Sequence, residues 1–257
     1  QEEKMKRTIA LTLVALMAIA LLAGCGGAQQ APEPVKTGLA VLNSVVKSKD
    51  AAADADGLAQ ADSLVVAVTV DANGVITDCV IDQAQSKVNF SAAGELVTPM
   101  DTVFKTKNEL GTDYGMGASS AIGKEWNEQA EAFAQYVIGK TAEEVSGIAL
   151  SEGYAADEDL KASVTVHIND FMAGVEKAVA NATDLGAAKG DVLSIAVTTN
   201  ISKSKNAADG EAGLAQVYST YVAMTRSEAG TITRCIFDGS QSNVNFDATG
   251  LITTYLS

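Results

Sequence analysis

The 257 residues carry 32 acidic against 18 basic side chains, a net charge of −14 at pH 7 and a pI near 4.4. No Lys/Arg cluster stands outside the N-terminus, so nucleic acid is excluded as a partner, and the acidity reads as solubility at a cell surface. With 47% apolar but only 5% aromatic residues, the cores must be built mostly from Val, Ile, Leu and Ala. One histidine and three cysteines leave no multi-His metal site, and neither a phosphate-binding glycine loop nor a metal-spaced Cys/His cluster is present. The composition therefore points away from an enzyme.

In chain order, residues 1–24 read as a signal peptide, with Met5 as the natural start. Lys6 and Arg7 precede an apolar run from Thr8 to Ala23, about as long as a signal core and short for a membrane span. The run closes on Leu22-Ala23-Gly24-Cys25, which resembles the lipobox of bacterial lipoproteins. That resemblance implies cleavage before Cys25, lipid on its thiol, and anchorage in the cell membrane on the extracytoplasmic face, with the membrane as a partner. Residues 25–37 then read as the lipidated cysteine and a tether, small and polar with Pro32 and Pro34.

Beyond the tether the chain contains the same stretch twice. Set 156 positions apart, residues 47–96 and 203–252 align without a gap and share 25 of 50 residues, by direct count. Lys-Ser-Lys at 47–49, Gly-Leu-Ala-Gln at 57–60, Cys79 and Val-Asn-Phe at 88–90 all return. So long a period fits a duplicated domain rather than a solenoid. The expected units are 38–190 and 191–257. The second ends where residue 101 of the first would align, so it reads as incomplete, the sequence being a fragment.

Each unit begins with strand signals: 38–46, Leu64–Val70 and Val75–Ile81. Asn73-Gly74 between the last two predicts a hairpin in which both turn residues take positive φ. The second copy keeps only the glycine, in Ser227-Glu228-Ala229-Gly230, so a different turn geometry is expected there. The first unit then turns helical. Trp126, Ala130, Phe133 and Val137 mark one face of a helix from about 121 to 138, stopped by Gly139. Thr141 and Glu144 form a capping box, and Ile168, Phe171, Met172, Val175, Val179 and Ala182 mark a second helical face. The fold class is α+β: two tandem homologous units, each an antiparallel sheet followed by helices, the second unit truncated.

Few residues suggest chemistry. Cys79 and Cys235 occupy equivalent positions and read as small buried hydrophobes. His167 reads as a surface or capping residue. Asp82, Gln85 and Asn89 recur in the second copy and are expected to hold the loop after the hairpin. Gly-Val-Ile-Thr-Asp-Cys-Val-Ile at 74–81, with Ala162-Ser163-Val164-Thr165 opening a helix, resembles the FMN-binding domain of surface flavoproteins over roughly residues 60–182. In that family a Ser-Gly-Ala-Thr-type motif before a helix carries flavin. The resemblance implies FMN as cofactor, a redox or surface partner and electron transfer. It offers two alternative places for the flavin site: Asp113 with Gly117, Ala118 and Ser119, which keeps step with the motif and is preferred, or Ser163 with Thr165. Lys161 stands where the motif has glycine, and Met116 where it has Ser or Thr. A phosphate would suit the free N–H groups of a helix N-terminus. The alternative reading is a non-enzymatic surface lipoprotein that binds a ligand or partner.

Overall fold

In the computed structural model, which describes residues 33–208 and 210–256, two antiparallel sheets set the frame. The first contains β1 (Pro34–Ser44), β2 (Gly57–Val70), β3 (Ile76–Phe90) and β6 (Thr183–Ala188) in the order β3-β2-β1-β6. The second contains β7 (Val192–Asn200), β8 (Gly213–Arg226) and β9 (Ile232–Phe246) in the order β7-β8-β9. A two-stranded ribbon, β4 (Leu150–Ser151) with β5 (Tyr154–Ala155), lies apart. The helices are α1 (Lys107–Leu110), α2 (Trp126–Val137), α3 (Ala142–Ser146), α4 (Glu158–Lys161) and α5 (Asn169–Ala180). The class is α+β, with sheet and then helices in the first unit. The strands run longer than the sequence signals suggested. β1 starts at Pro34, which pairs with Ala188, so the end of the expected tether is strand.

Burial follows from what covers each face. β2 is buried along nearly its whole length, because α2 and α5 pack on one side of its sheet and the second sheet on the other. Its apolar run Leu64-Val65-Val66-Ala67-Val68 is continuous for that reason. β8, covered on one face only, alternates between buried and less buried positions. Its counterpart run accordingly reads Thr220-Tyr221-Val222-Ala223-Met224.

Both hairpins turn identically, which corrects the expected geometry. Asp71 N donates to Val75 O (2.9 Å) and Gly74 N to Asp71 O (3.1 Å); Ser227 N donates to Thr231 O (2.9 Å) and Gly230 N to Ser227 O (2.8 Å). Gly74 and Gly230 have φ of 79° and 85°, while Asn73 stays outside the left-handed region. This is a three-residue loop closed by one left-handed glycine. Only that glycine is demanded, and it is the residue that the second copy keeps.

The two copies face each other across an approximate two-fold. Ala51 N donates to Gly250 O (2.9 Å) and its counterpart Ala207 N to Gly94 O (2.8 Å). Leu96 N donates to Asn206 Oδ1 (2.9 Å) and Ile252 N to Asp50 Oδ1 (2.7 Å). Phe90 stacks on Phe246, ring centroids 4.2 Å apart and planes 3° from parallel. Reciprocal contacts of this kind are those of an isologous dimer interface, here within one chain. Two clusters fill the space between the sheets, one around the Phe pair with Val88 and Val244, the other around Leu39, Val65 and Tyr221.

The helical layer covers the other face of the first sheet. Trp126, Ala130, Phe133 and Val137 are buried there, as are Ile168, Phe171, Met172 and Val175. α2 starts at Trp126, not near residue 121, because residues 117–123 are held in turns; Gly139 ends it, its N–H bonded to Ile76 O at 2.8 Å. The Thr141–Glu144 capping box forms as expected. The segment Ala162–Thr165 does not open a helix; α5 begins at Asn169. Asp82, Gln85 and Asn89 lie within β3 rather than in a loop after it, since the polar stretch is an unbroken partner of β2. Both Cys79 and Cys235 are free thiols; Cys79 is buried in the core beneath the helices and its thiol is pushed far up by burial. Cys25 and the expected signal peptide lie outside the described residues.

Candidate functional site

Where the helical layer meets the first sheet it leaves an open cleft of about 440 Å³. Its floor is Leu64 of β2 and Gln83 of β3. Tyr114, Met116 and Trp126 form one wall; Phe171, Asp170 and His167, at the start of α5, form the other with Tyr154 from the β4–β5 ribbon. Lys47 and Lys107 complete the lining. A smaller hollow of about 220 Å³ continues the cleft past Lys47 and Asp62 toward Asn43 and Ser44. Four of the chain's 13 aromatic side chains, including its one tryptophan, and its one histidine thus line a single cleft.

Lys107 has an unusual place in it. Thr106 and Glu109 form a capping box that nucleates α1 and sets Lys107 in its first turn. Asp82, buried in β3, accepts Asn108 N (3.2 Å), and Asn108 Nδ2 donates to Ile81 O (2.9 Å), which fastens α1 to the edge of the sheet. The Lys107 side chain then lies between two rings, its ammonium 4.7 Å from the centroid of Tyr114 and 4.6 Å from that of Trp126. It is only 6% exposed. Among the described residues no carboxylate comes within 4.0 Å of its Nζ. Burial lowers its pKa to about 8, although Asp62 and Asp82 pull the other way. Burial likewise raises the Asp82 carboxyl and the Tyr114 phenol.

The other lysine of the cleft is paired. Lys47 Nζ lies 2.9 Å from Asp62, whose two oxygens also accept from Gln60 Nε2 at 2.9 and 3.0 Å. Trp126 meets Phe171 edge-on at 5.6 Å, and the rings of Tyr154 and His167 are 4.0 Å apart. Gln129, fully buried in α2, accepts from Thr165 N (2.8 Å) and Thr165 Oγ1 (3.2 Å), so α2 holds the strip leading into α5.

The residues expected to bind flavin are dispersed. Thr165 lines the cleft. Asp113 is exposed on the turn before Tyr114, and Ala118 and Ser119 are exposed, Ser119 Oγ donating to Met116 O. Gly117 N donates to Glu125 Oε1 and Met116 N to Glu125 Oε2, both at 2.8 Å. The N–H groups offered there to a phosphate are therefore occupied by the protein's own carboxylate. Ser163 sits at the end of α4, its hydroxyl bonded to Leu160 O. Neither serine stands at the N-terminus of the long helix that follows it. Sequence reasoning missed Lys47, Lys107, Tyr114 and Tyr154; the Thr106-x-x-Glu109 spacing was the available signal for α1. Among the described residues no group of three or more His, Cys, Asp or Glu could hold a metal ion.

No protein-family model matches the chain, and no curated protein or solved structure is detectably similar to it.

Proposed function

We propose that the protein is a lipid-anchored lipoprotein of the extracytoplasmic membrane face that binds a small organic ligand in the aromatic cleft without transforming it. The observation that carries the reading is the gathering of Tyr114, Trp126, Tyr154 and Phe171 around one opening in an aromatic-poor chain. Binding sites are concave, largely apolar and furnished with a few convergent polar groups, and this cleft has that make-up. The anchor rests on the sequence around Cys25. The test is to purify the protein from its membrane-anchored form, denature it, and identify by mass spectrometry any small molecule released. Release of one compound, lost when Tyr154 and Phe171 are both changed to alanine in a folded variant, would support the reading. No bound compound, and no response of Trp126 fluorescence to a library of aromatic metabolites, would end it.

A flavin reading stands beside it, favoured by Thr165 at the cleft wall and by the suitability of aromatic side chains for stacking an isoalloxazine ring. In that reading FMN occupies the cleft and the protein passes electrons to a membrane or surface partner. A visible flavin spectrum in the purified protein separates the two readings, since a bound flavin absorbs visible light whatever the surrounding chain.

A further inference from the structure

Pairs of aromatic rings that face one another commonly capture an external cation. In this cleft the place is taken, because Tyr114 and Trp126 already hold the ammonium of Lys107. A second cation would meet both Lys107 and Lys47 and be repelled. The charge of Lys47 is largely answered by Asp62, which Gln60 also holds. Among the described residues no carboxylate lies within 4.0 Å of the Lys107 ammonium, although Lys107 is far more buried than Lys47. An ammonium withdrawn from water without a carboxylate is costly, and folded proteins ordinarily pair such a charge. The cleft, which Lys107 lines, gives a pairing group a route of approach. Around that opening the surfaces are aromatic faces and edges, which favour a flat ring.

Building on the binding role proposed above, we propose that Lys107 is the anion anchor of the cleft, and that the ligand is a small planar aromatic acid whose carboxylate or phosphate rests on this ammonium while its ring lies against the aromatic walls. Asp170 and His167 stand at the opposite wall and would face the end of the ligand away from its acid group. Asp82, Lys87, Asp62 and Lys47 act on Lys107 from the sheet and the neighbouring loop; none of them is removed in the test below.

The test compares four probes by calorimetry on the purified protein: benzoate and phenyl phosphate, the neutral benzamide, and inorganic phosphate without a ring. Trp126, the only tryptophan, reports by its emission whether binding occurs in the cleft. Benzoate or phenyl phosphate should bind and shift that emission, and benzamide and inorganic phosphate should bind roughly ten-fold or more weakly, as expected when a charge-assisted contact or the ring contact is missing. Comparing benzoate with phenyl phosphate identifies which acid group the anchor prefers. Lys107→Gln, checked for folding by its thermal transition, should erase the preference for the acid over the amide. Benzoate affinity should fall as the pH is raised through about 8, where Lys107 loses its proton, and benzamide affinity should not. If benzamide binds as well as benzoate, or if Lys107→Gln retains the acid preference, the anchor is refuted while the cleft survives as a binding site. If no probe of any charge perturbs Trp126, the cleft and the anchor fall together.

Discussion

Removing one ring from the Phe90–Phe246 stack tests whether the two copies are energetically one object. Both side chains are fully buried, at 0% exposure. Each also lies over the glycine that opens the first strand of its own hairpin: an ideal Cβ on Gly57 would fall 2.3 Å from the Phe90 ring, and one on Gly213 2.3 Å from the Phe246 ring. Phe246→Ala therefore deletes a buried ring, strips Phe90 of its stacking partner and uncovers the β8 backbone. A buried Phe→Ala change costs about 3–5 kcal/mol, and the pair itself adds roughly 0.5–1.5 kcal/mol beyond buried area. The double variant should cost less than the sum of the two single ones by about that pair term. Urea unfolding is followed by far-UV circular dichroism, which sees every strand, and by Trp126 fluorescence, which sees only the helical layer of the first copy. Because the sheets share two apolar clusters, both probes should report one transition, displaced equally by Phe246→Ala. A Trp126 transition left in place by that change would show that the copies unfold independently, and the argument from their reciprocal contacts would be wrong.

Three further outcomes follow from named contacts. Gly74→Ala, with φ of 79° and no heavy atom within 4 Å of the added Cβ, should destabilise by about 1–2 kcal/mol through backbone conformation alone, whereas Asn73→Ala should change the urea midpoint little; equal effects would contradict the single-glycine turn. Lys107→Met should raise the melting temperature near neutral pH. Below about 8 the folded protein carries the whole cost of the lowered pKa, on the order of 3 kcal/mol. From there up to the ordinary lysine range the unfolded chain holds more protons, so the native protein gains stability and the variant's advantage shrinks with rising pH; a variant less stable than the native protein at pH 7 would refute this. Cys25→Ser should move the protein from the membrane pellet to the soluble fraction after cell lysis and centrifugation, and continued sedimentation would refute the lipid anchor.

What the sequence disclosed, and what it hid, divides along a physical line. The apolar stripes of α2 and α5 were legible because each residue's burial is decided by its place on its own helix, and Trp126 through Val137 are buried as that spacing requires. The duplication was legible without any structure. The turn was misread because Asn-Gly suits two different loops, and the hydrogen bonds of Asp71 with Val75 and of Gly74 with Asp71 select the longer one. The start of α2 was misread because Glu125 is drawn back to clamp Met116 and Gly117, a contact eight and nine residues distant that no periodicity encodes. The cleft was hidden for a related reason. Lys107, Tyr114, Tyr154 and His167 come from separate short elements, and only the packing of those elements on β2 and β3 brings them together.

The pattern of repetition gives a final reason to place the ligand in the first copy alone. The residues that returned unchanged serve the shared frame: Gly57 and Phe90 with Gly213 and Phe246 at the stack, Ser48 with Ser204 holding the N–H groups of Gln60 and Gln216 at 3.0 and 2.9 Å. The floor of the cleft and the aspartate beside it did not return. Tyr218 stands where Asp62 would be, Thr220 where Leu64 would be, and Gly239 where Gln83 would be. Tyr218 and Phe237 are exposed on the outer face of their sheet, at 45% and 69%, whereas Asp62 and Ile81 at the matching positions are buried. Lys203 returns, but the aspartate that holds Lys47 does not, so even the lysine lacks its former setting. The floor of the cleft therefore exists once, and as the chain stands its aromatic acid should bind with a stoichiometry of one. Two equivalent sites in a calorimetric titration would show that the second sheet binds through chemistry other than that of Lys107, and the assignment of the cleft as the ligand site would have to be given up.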